Sequence, residues 1–167
     1  LHTGLFHERE FELDLERIKF YCRSQGYLDM EIEKVEKTFS DDGSKMYITI
    51  TIKEGRQYRA GSLSIVGNEN FPEEELAALV TLQPGDVFSF EALNNDATAI
   101  KEFYYARGYI DSSVRPRNVF NQKTEEMDIT FAIRENDISY INRIEISGNE
   151  ITKDVVIRRE LAVKPGE

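Results

Sequence analysis

The chain has 167 residues, a formal net charge of −10 and 40% hydrophobic residues, including ten Phe and eight Tyr. This composition can fill packed cores and excludes a disordered chain, and its acidic balance argues against nucleic acid or an anionic membrane surface as the main partner. The single cysteine excludes an intramolecular disulfide and a thiolate metal cluster. No apolar run is long enough for a transmembrane helix, and no signal-peptide pattern opens the chain.

A helix is expected within residues 1–27, after a short loop. Its signal is a stripe of apolar residues at helical spacing, namely Phe11, Leu15, Ile18 and Cys22. A side chain on such a stripe packs in a core, so Cys22 is interpreted as a buried structural thiol. Gly26 stands where a residue in the left-handed conformation would end the helix.

Two strands joined by a polar turn are predicted next, over 28–39 and 46–53. The second strand has apolar residues at alternate positions, which is typical of a strand with one buried and one wet face. In the first strand the apolar positions change parity near Glu33 and Lys34, which indicates a β-bulge. Because bulges favour sheet edges, the first strand is predicted to be an edge strand.

The same elements return about 81 residues later. A helix over 90–108 repeats the first helix at an offset of 82, and strands over 110–120 and 127–134 repeat the hairpin at an offset of 81. The change of offset places an extra residue in the earlier edge strand, in agreement with a bulge. Pro116 lies in the later edge strand, and proline is excluded from central strands.

Further strands are predicted at 63–65 and 144–146, each ending in a Gly-Asn turn and followed by a short helix. Pro72 and the three glutamates after it suit the first turn of one helix. Thr152 is the expected N-cap of the other.

The sequence therefore predicts an α+β fold of tandem repeats with the order strand–helix–helix–strand–strand. Each repeat would have a three-stranded mixed sheet covered on one face by two helices. Residues 56–136 would form a complete repeat, residues 1–55 the C-terminal part of another, and residues 137–167 the opening strand and helix of a third. Repeats of this size bury little surface and are expected to depend on their neighbours.

Residues that could support catalysis are scarce. His2 and His7 are the only histidines and lack the spacing of a zincin helix, and no Gly-rich phosphate loop is present. We expect no catalytic site, no cofactor and no metal. An enzyme would need a partner to supply its catalytic groups.

Four segments carry a recognisable pattern: FYCRSQGY at 20–27, ITIKEGRQY at 50–58, IVGN at 65–68 and TKDVVIRREL at 152–161. Together they resemble the POTRA repeats of the BamA family of outer-membrane β-barrel assembly factors. The resemblance covers essentially the whole chain, and the last segment is similar to the opening helix of the repeat nearest the barrel. On this interpretation the chain lacks the family's membrane barrel.

The resemblance implies a non-enzymatic function on the periplasmic side of the bacterial outer membrane, in a membrane-anchored parent. The implied partners are unfolded outer-membrane β-barrel proteins, accessory assembly lipoproteins and the parent's own barrel. An exposed edge strand offers unpaired N–H and C=O groups, so an extended client segment can join it by β-augmentation. Such backbone pairing tolerates many client sequences.

The candidate client-binding residues lie in the two predicted edge strands. The bulge should limit pairing at the first edge, so the second edge is the better open template, although Pro116 removes one donor from it. The candidates are Met30, Glu31, Ile32, Glu33, Lys34 and Val35 at the first edge, and Ser112, Ser113, Val114, Arg115 and Arg117 at the second.

The resemblance also identifies candidate partner-docking residues at the two ends of the last helix, which are Lys153 at its start and Arg158, Arg159 and Glu160 at its end. They would contact accessory lipoproteins or the barrel. The alternative is that the cations only complement the dipole at the helix C-terminus.

The same pattern is compatible with other functions. The repeats would also suit a structural spacer, or the POTRA region of a two-partner secretion transporter, an autotransporter-assembly protein or a chloroplast import channel. The partial repeats allow a head-to-tail self-association in which residues 137–167 of one molecule complete residues 1–55 of another. The alternative is that both ends are partly frayed.

Overall fold

The computed structural model describes residues 5–163, 165 and 166. Its elements are α1 (Glu8–Ser24), β1 (Glu31–Phe39), β2 (Met46–Lys53), β3 (Ala60–Val66), α2 (Glu73–Ala77), α3 (Phe90–Tyr105), β4 (Ser113–Asn121), β5 (Glu126–Arg134) and α4 (Asp154–Arg158).

The middle of the chain forms a three-stranded mixed sheet in the order β3-β5-β4. Strand β5 is parallel to β3 and antiparallel to β4. Because β5 is central, its alternating apolar residues Met127, Ile129, Phe131 and Ile133 are all buried. The predicted three-stranded mixed sheet is confirmed.

The core of this middle part lies between the sheet and α2 and α3. Phe88, Ile100, Tyr104 and Phe131 have no exposed surface. Helix α3 has a capped N-terminus, since the Ser89 side chain accepts a hydrogen bond from the Ala92 N–H. The α+β layer arrangement is thus the predicted one, with helices on one face of the sheet.

A buried carboxylate on α3 fastens the connection between the two helices to this core. Asp96 is 1% exposed and accepts hydrogen bonds from the Thr81 N–H at 2.9 Å, the Thr81 hydroxyl at 2.7 Å and the Leu82 N–H at 3.0 Å. These bonds satisfy a charge that would otherwise be costly to bury.

A second buried carboxylate closes the opposite end of the core. Glu135 accepts hydrogen bonds from the Tyr104 hydroxyl at 2.6 Å and from the Asn70 N–H at 3.1 Å. Burial and this contact with Glu135 raise the pKa of Tyr104 above its ordinary value. Glu135 therefore links β5, α3 and the loop before α2.

In the first part of the chain, the described residues repeat the long helix and the hairpin of this arrangement. Strands β1 and β2 form a two-stranded antiparallel sheet, and their register shifts between Ile32 and Lys34. The predicted bulge is therefore confirmed, with Glu33 as the extra residue. The apolar stripe of α1 is half-buried rather than buried, so the prediction of a buried Cys22 was wrong.

Both edge strands begin later than predicted. The residues just before β1 and β4 form turns, closed by a hydrogen bond from the Met30 N–H to the Tyr27 carbonyl and from the Ser112 N–H to the Tyr109 carbonyl. Strands predicted from residues 28 and 110 therefore start at Glu31 and Ser113.

Two predictions for the last part of the chain were wrong. Residues 144–146 are not a strand, because no strand of the described residues lies beside them to complete their hydrogen bonds. The N-cap of α4 is Lys153 rather than Thr152, and it makes no side-chain cap hydrogen bond. The Thr152 carbonyl instead accepts a hydrogen bond from the Asn149 side chain at 2.9 Å.

The joints between the three parts are built alike. The Tyr58 N–H donates to the Gly26 carbonyl at 2.8 Å, and the Ser139 N–H donates to the Gly108 carbonyl at 2.9 Å. Both glycines have a positive φ, of 85° and 87°. A Cβ at Gly26 would lie 2.7 Å from the Val87 side chain, so this joint requires glycine.

Candidate functional site

Strand β4 is an edge strand along its full length. It pairs with β5 without a register shift from Ser113 to Asn121, and the described residues place no strand on its other side. The edge position predicted for Val114 and Pro116 is confirmed. The strand offers nine residues of backbone without a bulge for pairing.

The face of the sheet opposite the helices is polar and carries the exposed side chains of β4. Arg115, Arg117 and Val119 are exposed, and Val114 and Phe120 are half-buried against the core. In the part of the chain that the structure describes, no carboxylate lies within 4.0 Å of either arginine to form an ion pair. The edge of an acidic chain therefore presents two cations.

A carboxylate on the same face joins the three strands. Asp128 on β5 accepts hydrogen bonds from the Ser62 hydroxyl at 2.7 Å and from the Asn121 side chain at 2.7 Å. These hydrogen bonds, Ser62 first, lower the pKa of the Asp128 carboxyl. The end of β4 is thereby held against β5, and no described strand pairs with its outer side.

Strand β1 differs from β4 in two respects that reduce its value as a template. Its backbone is interrupted at Glu33, and its cations are already paired, Lys34 with Glu36 at 2.6 Å and Lys37 with Glu8 at 2.6 Å. A bulge and a charged surface are two of the means by which edge strands avoid pairing.

Two candidate client-binding residues lie outside the edges. Met30 and Ser112 are 2% and 4% exposed and precede β1 and β4 in the turns described above. Their backbone donors are used inside those turns, at 3.3 and 3.1 Å. The sequence placed them at the edges because the apolar pattern of each strand continues into its turn.

The remaining edges are those of β3 and β2. The first is partly covered, because the Ala60 N–H donates to the Asp86 carbonyl at 2.8 Å and the Phe88 N–H donates to the Tyr58 carbonyl at 3.0 Å. No described strand or loop is paired with the outer edge of β2. The sequence predicts that residues 1–55 are the C-terminal part of a repeat, but no local pattern in it marks the open edge of β2.

The candidate docking residues near α4 are not equivalent. Arg158 is held within the chain, since it donates to Asp154 at 2.8 Å and to the Ile144 carbonyl at 2.8 Å. Arg159 contacts only its neighbour Glu160, at 3.3 Å, and both side chains are exposed, as is Lys153. Arg158 is also exposed, but its side-chain donors are engaged within the chain, so Lys153, Arg159 and Glu160 are the freer candidates for docking.

Residues 5–163, 165 and 166 contain no group of three or more His, Cys, Asp or Glu residues arranged to hold a metal ion. They also contain no helix that combines the length and the apolar character needed to cross a membrane. Of the two histidines, His2 lies outside the described residues.

The family model for POTRA, described as surface antigen variable number repeat, matches residues 2–55 and 58–136. These two segments make up most of the chain. The chain belongs to the POTRA family. The match begins a second time at residue 58, where the Tyr58 N–H bonds to Gly26 and a new repeat opens.

Curated relatives of the chain include outer membrane protein assembly factors. The chain is 32% identical over 160 residues to the outer membrane protein assembly factor BamA of Neisseria meningitidis, which covers 95% of the chain and 20% of that protein. It is 26% identical over 169 residues to BamA of Nitratidesulfovibrio vulgaris, covering 99% of the chain and 21% of that protein. The chain thus spans about a fifth of the length of these curated relatives.

Solved structures show the same arrangement of repeats. The crystal structure of POTRA3-5 of BamA from Haemophilus influenzae is similar over 99% of this chain and 66% of that chain, with a TM-score of 0.63 and 28% identity. The structure of BamA from Haemophilus ducreyi lacking POTRA domains 1-3 has a TM-score of 0.55 over 79% of this chain and 24% of that chain. Its identity of 20% supports the fold alone.

Proposed function

We propose that this chain is a periplasmic POTRA segment of an outer-membrane protein assembly factor of the BamA type, and that it binds unfolded outer-membrane β-barrel proteins by β-augmentation. It performs no catalysis and needs no cofactor. The observation that carries the proposal is the uninterrupted open edge of β4 in a chain similar to BamA over almost its whole length.

The geometry of β4 supports strand addition. An added strand would pair with the backbone of Ser113–Asn121, where each hydrogen bond is made to the main chain and not to a particular side chain. This suits a protein whose clients share only alternating apolar strands of about ten residues. Pro116 lacks an N–H, so it limits the added ladder and prevents uncontrolled growth.

The charges beside this edge support an extended client. Arg115 and Arg117 lie on the wet face next to the added strand and would attract its carboxylates. The bulged and internally paired edge of β1 is the weaker of the two templates. Lys153, Arg159 and Glu160 are proposed as the docking surface for accessory lipoproteins or for the parent's barrel.

The test measures backbone pairing directly. A ten-residue peptide from a strand of an outer-membrane barrel is added to the chain, and amide hydrogen exchange is followed in β1 and β4. A matched control peptide carries N-methyl groups on alternate amides, which removes the donors and keeps every side chain.

Binding by strand addition predicts new protection in β4, little change in β1, and at least about tenfold weaker binding of the methylated peptide because its hydrogen bonds are lost. Equal binding of the two peptides, or no added protection in β4, would contradict the proposal. The charge-reversed variant Arg115→Glu/Arg117→Glu should weaken binding less, and mainly at low salt.

A structural spacer is the second candidate, and the two similar joints favour it. Each joint has a backbone hydrogen bond to a glycine of positive φ.

Gly26→Ala should change the distance between the first and middle parts in small-angle scattering, because its Cβ would collide with Val87. Gly43→Ala is the matched control, since Gly43 also has a positive φ but no atom within 4 Å of a Cβ. If the chain is only a spacer, adding the peptide leaves amide exchange in β4 unchanged, and Gly26→Ala still changes the distance between the two parts.

A further inference from the structure

The face of the middle sheet opposite the helices carries three neighbouring arginines. Arg115 and Arg117 lie on β4, Arg134 lies at the end of β5, and all three are exposed. The strand register places Arg134 opposite Ser113 and Arg115 opposite Ala132. Residues two apart on a strand are separated by about 7 Å, and diagonal neighbours on adjacent strands by about 7–8 Å. The three side chains therefore form one cluster, which we call the arginine face.

No described carboxylate compensates the charge of the arginine face. Among residues 5–163, 165 and 166, none lies within 4.0 Å of Arg115, Arg117 or Arg134, and none of the three arginines lies over an aromatic ring. This is a chain in which 31 acidic residues outnumber 21 basic ones. Like charges that are neighbours on a sheet destabilise it. An anion bound at the arginine face would relieve this repulsion.

The residues between the arginines are small. Ser113, Thr130 and Ala132 are half-buried in the sheet and have short side chains. A partner backbone can therefore come close enough for its side chains to reach the guanidinium groups. A guanidinium donates two parallel N–H groups to one carboxylate, which makes arginine well suited to this anion.

The other end of the same face is acidic. Glu126 and Asp128 lie there on β5, on the side of the sheet away from the helices. The Asp128 carboxylate accepts hydrogen bonds from the Ser62 hydroxyl and from the Asn121 side chain, both at 2.7 Å. An acidic ligand is repelled from this end and attracted to the arginine face, so the charges fix where it sits.

We propose that the arginine face docks an acidic segment of a partner protein, whose carboxylates pair with Arg115, Arg117 and Arg134. An extended segment places alternate side chains about 7 Å apart, which matches the spacing of Arg115 and Arg117 along β4. The docking surface is the flat face of the sheet and not the edge of β4. The proposal therefore goes beyond the proposed function and does not depend on strand addition.

An anionic lipid surface fits the arginine face less well. Polybasic segments that hold a membrane surface have about four to eight Lys or Arg residues, whereas this face has three arginines with Glu126 and Asp128 beside them. The net charge of −10 also opposes adsorption to an anionic plane. A protein segment with a few carboxylates matches the size and the charge of the cluster.

The test uses an acidic peptide that cannot join a sheet. An octamer of N-methylglutamate keeps one carboxylate per residue and lacks the backbone N–H groups that a β-ladder needs. The matched control is an octamer of N-methylglutamine, which has the same backbone without the charge. Each peptide is titrated into the isotope-labelled 167-residue chain at about 0.15 M salt, where interactions between exposed charges more than about 8 Å apart are largely screened. The Nε–H signals of the arginines are followed by NMR.

The acidic octamer should shift the Nε–H signals of Arg115, Arg117 and Arg134, and the glutamine octamer should not. Arg115→Glu/Arg117→Glu/Arg134→Glu should weaken binding at least about tenfold, because three ion pairs become repulsions. Arg134→Gln alone should weaken it about threefold. Circular dichroism checks that each variant is folded.

The matched control variant is Arg9→Glu/Lys45→Glu/Lys123→Glu, which makes the same change of net charge at exposed positions outside the arginine face. It should change binding by less than about twofold. Equal binding of the two octamers, an equal loss in the control variant, or shifts centred on other cations would overturn the proposal.

Two further measurements separate this proposal from its alternatives. Vesicles of phosphatidylcholine and phosphatidylglycerol in equal parts should not bind through the arginine face. If they do, and the acidic octamer does not bind, the face is a lipid site and the proposal is wrong. Arg134→Gln should bind the barrel-strand peptide as the unchanged chain does, because Arg134 lies on the central strand and not at the edge. Strand addition and docking at the arginine face can therefore fail separately.

Discussion

The first and middle parts of the chain carry the same pattern of residues but differ in what that pattern achieves. In β5 the alternating residues Met127, Ile129, Phe131 and Ile133 are buried, whereas their counterparts Met46, Ile48 and Ile50 in β2 are half-buried and Ile52 is exposed. The middle part has β3 and α2 above its core, and the described first part has no equivalent. An amphipathic pattern therefore gives a buried core only when every layer that it requires is present.

The largest expected difference between the two parts is in their central strands. Phe131→Ala should cost about 3–5 kcal/mol in the free energy of unfolding of the middle part, because it leaves a cavity at a fully buried position. Its counterpart Ile50→Ala should cost about 1–2 kcal/mol, since Ile50 is half-buried. Hydrogen exchange of β5 and β2 amides, measured at concentrations where the chain is monomeric, gives both values. Equal losses would contradict the comparison.

Asp96 in the middle part and Asp14 in the first part occupy equivalent positions but differ in burial. Asp96→Ala leaves the Thr81 and Leu82 N–H groups without an acceptor and should cost about 2–4 kcal/mol. Asp14→Ala removes only an exposed ion pair and should change the stability of the monomer by less than about 0.5 kcal/mol. Urea unfolding followed by circular dichroism tests both variants, and a large loss for Asp14→Ala would show that the first part is closed.

Because Tyr104 is buried and other tyrosines are exposed, the stability of the middle part is expected to depend on pH in the alkaline range. The pKa of Tyr104 is raised by burial and by Glu135, so the folded middle part favours its neutral hydroxyl. This contribution is fully present below the ordinary tyrosine pKa of about 10 and is lost as the pH rises above it. Stability measured from pH 8 to 11 should fall less in Tyr104→Phe than in the unchanged chain. An identical fall in both would contradict the assignment.

The smallest expected effect concerns the turn between β1 and β2. Asp42 accepts hydrogen bonds from Ser40 and Ser44, and Ser40 contributes most to lowering its pKa to about 2. This stabilisation is present above the unfolded pKa of about 4 and is lost as the pH falls toward 2. Hydrogen exchange at Ser44 should be faster in Asp42→Asn at pH 6, and the difference should close in acid. A difference that persists at pH 2 would contradict this account.

Much of the candidate site follows from local sequence features. The extra residue near Glu33 and the parity change around it predicted the bulge, and Pro116 predicted that β4 is an edge strand; both are found. These signals are local because backbone geometry at a bulge and the missing N–H of proline act within a few residues. Whether either edge binds a client stays a prediction.

Other features were not readable from local pattern. Met30 and Ser112 share the pattern of their strands, yet tertiary packing places both in buried turns. Arg158 looks like a free surface cation in the sequence, but the fold brings it to the Ile144 carbonyl. The burial of Asp96 and Glu135 also depends on donors 15 and 65 residues away in sequence.

The sequence by itself determined the order of the elements in the middle repeat, the period of the repeat and the bulge in β1, because these depend on residue spacing and on local backbone geometry. The tertiary structure decided which copies of the pattern are buried, which edges stay open and which carboxylates are satisfied. Burial and hydrogen bonding require a partner surface, and among the described residues the middle part supplies it most fully.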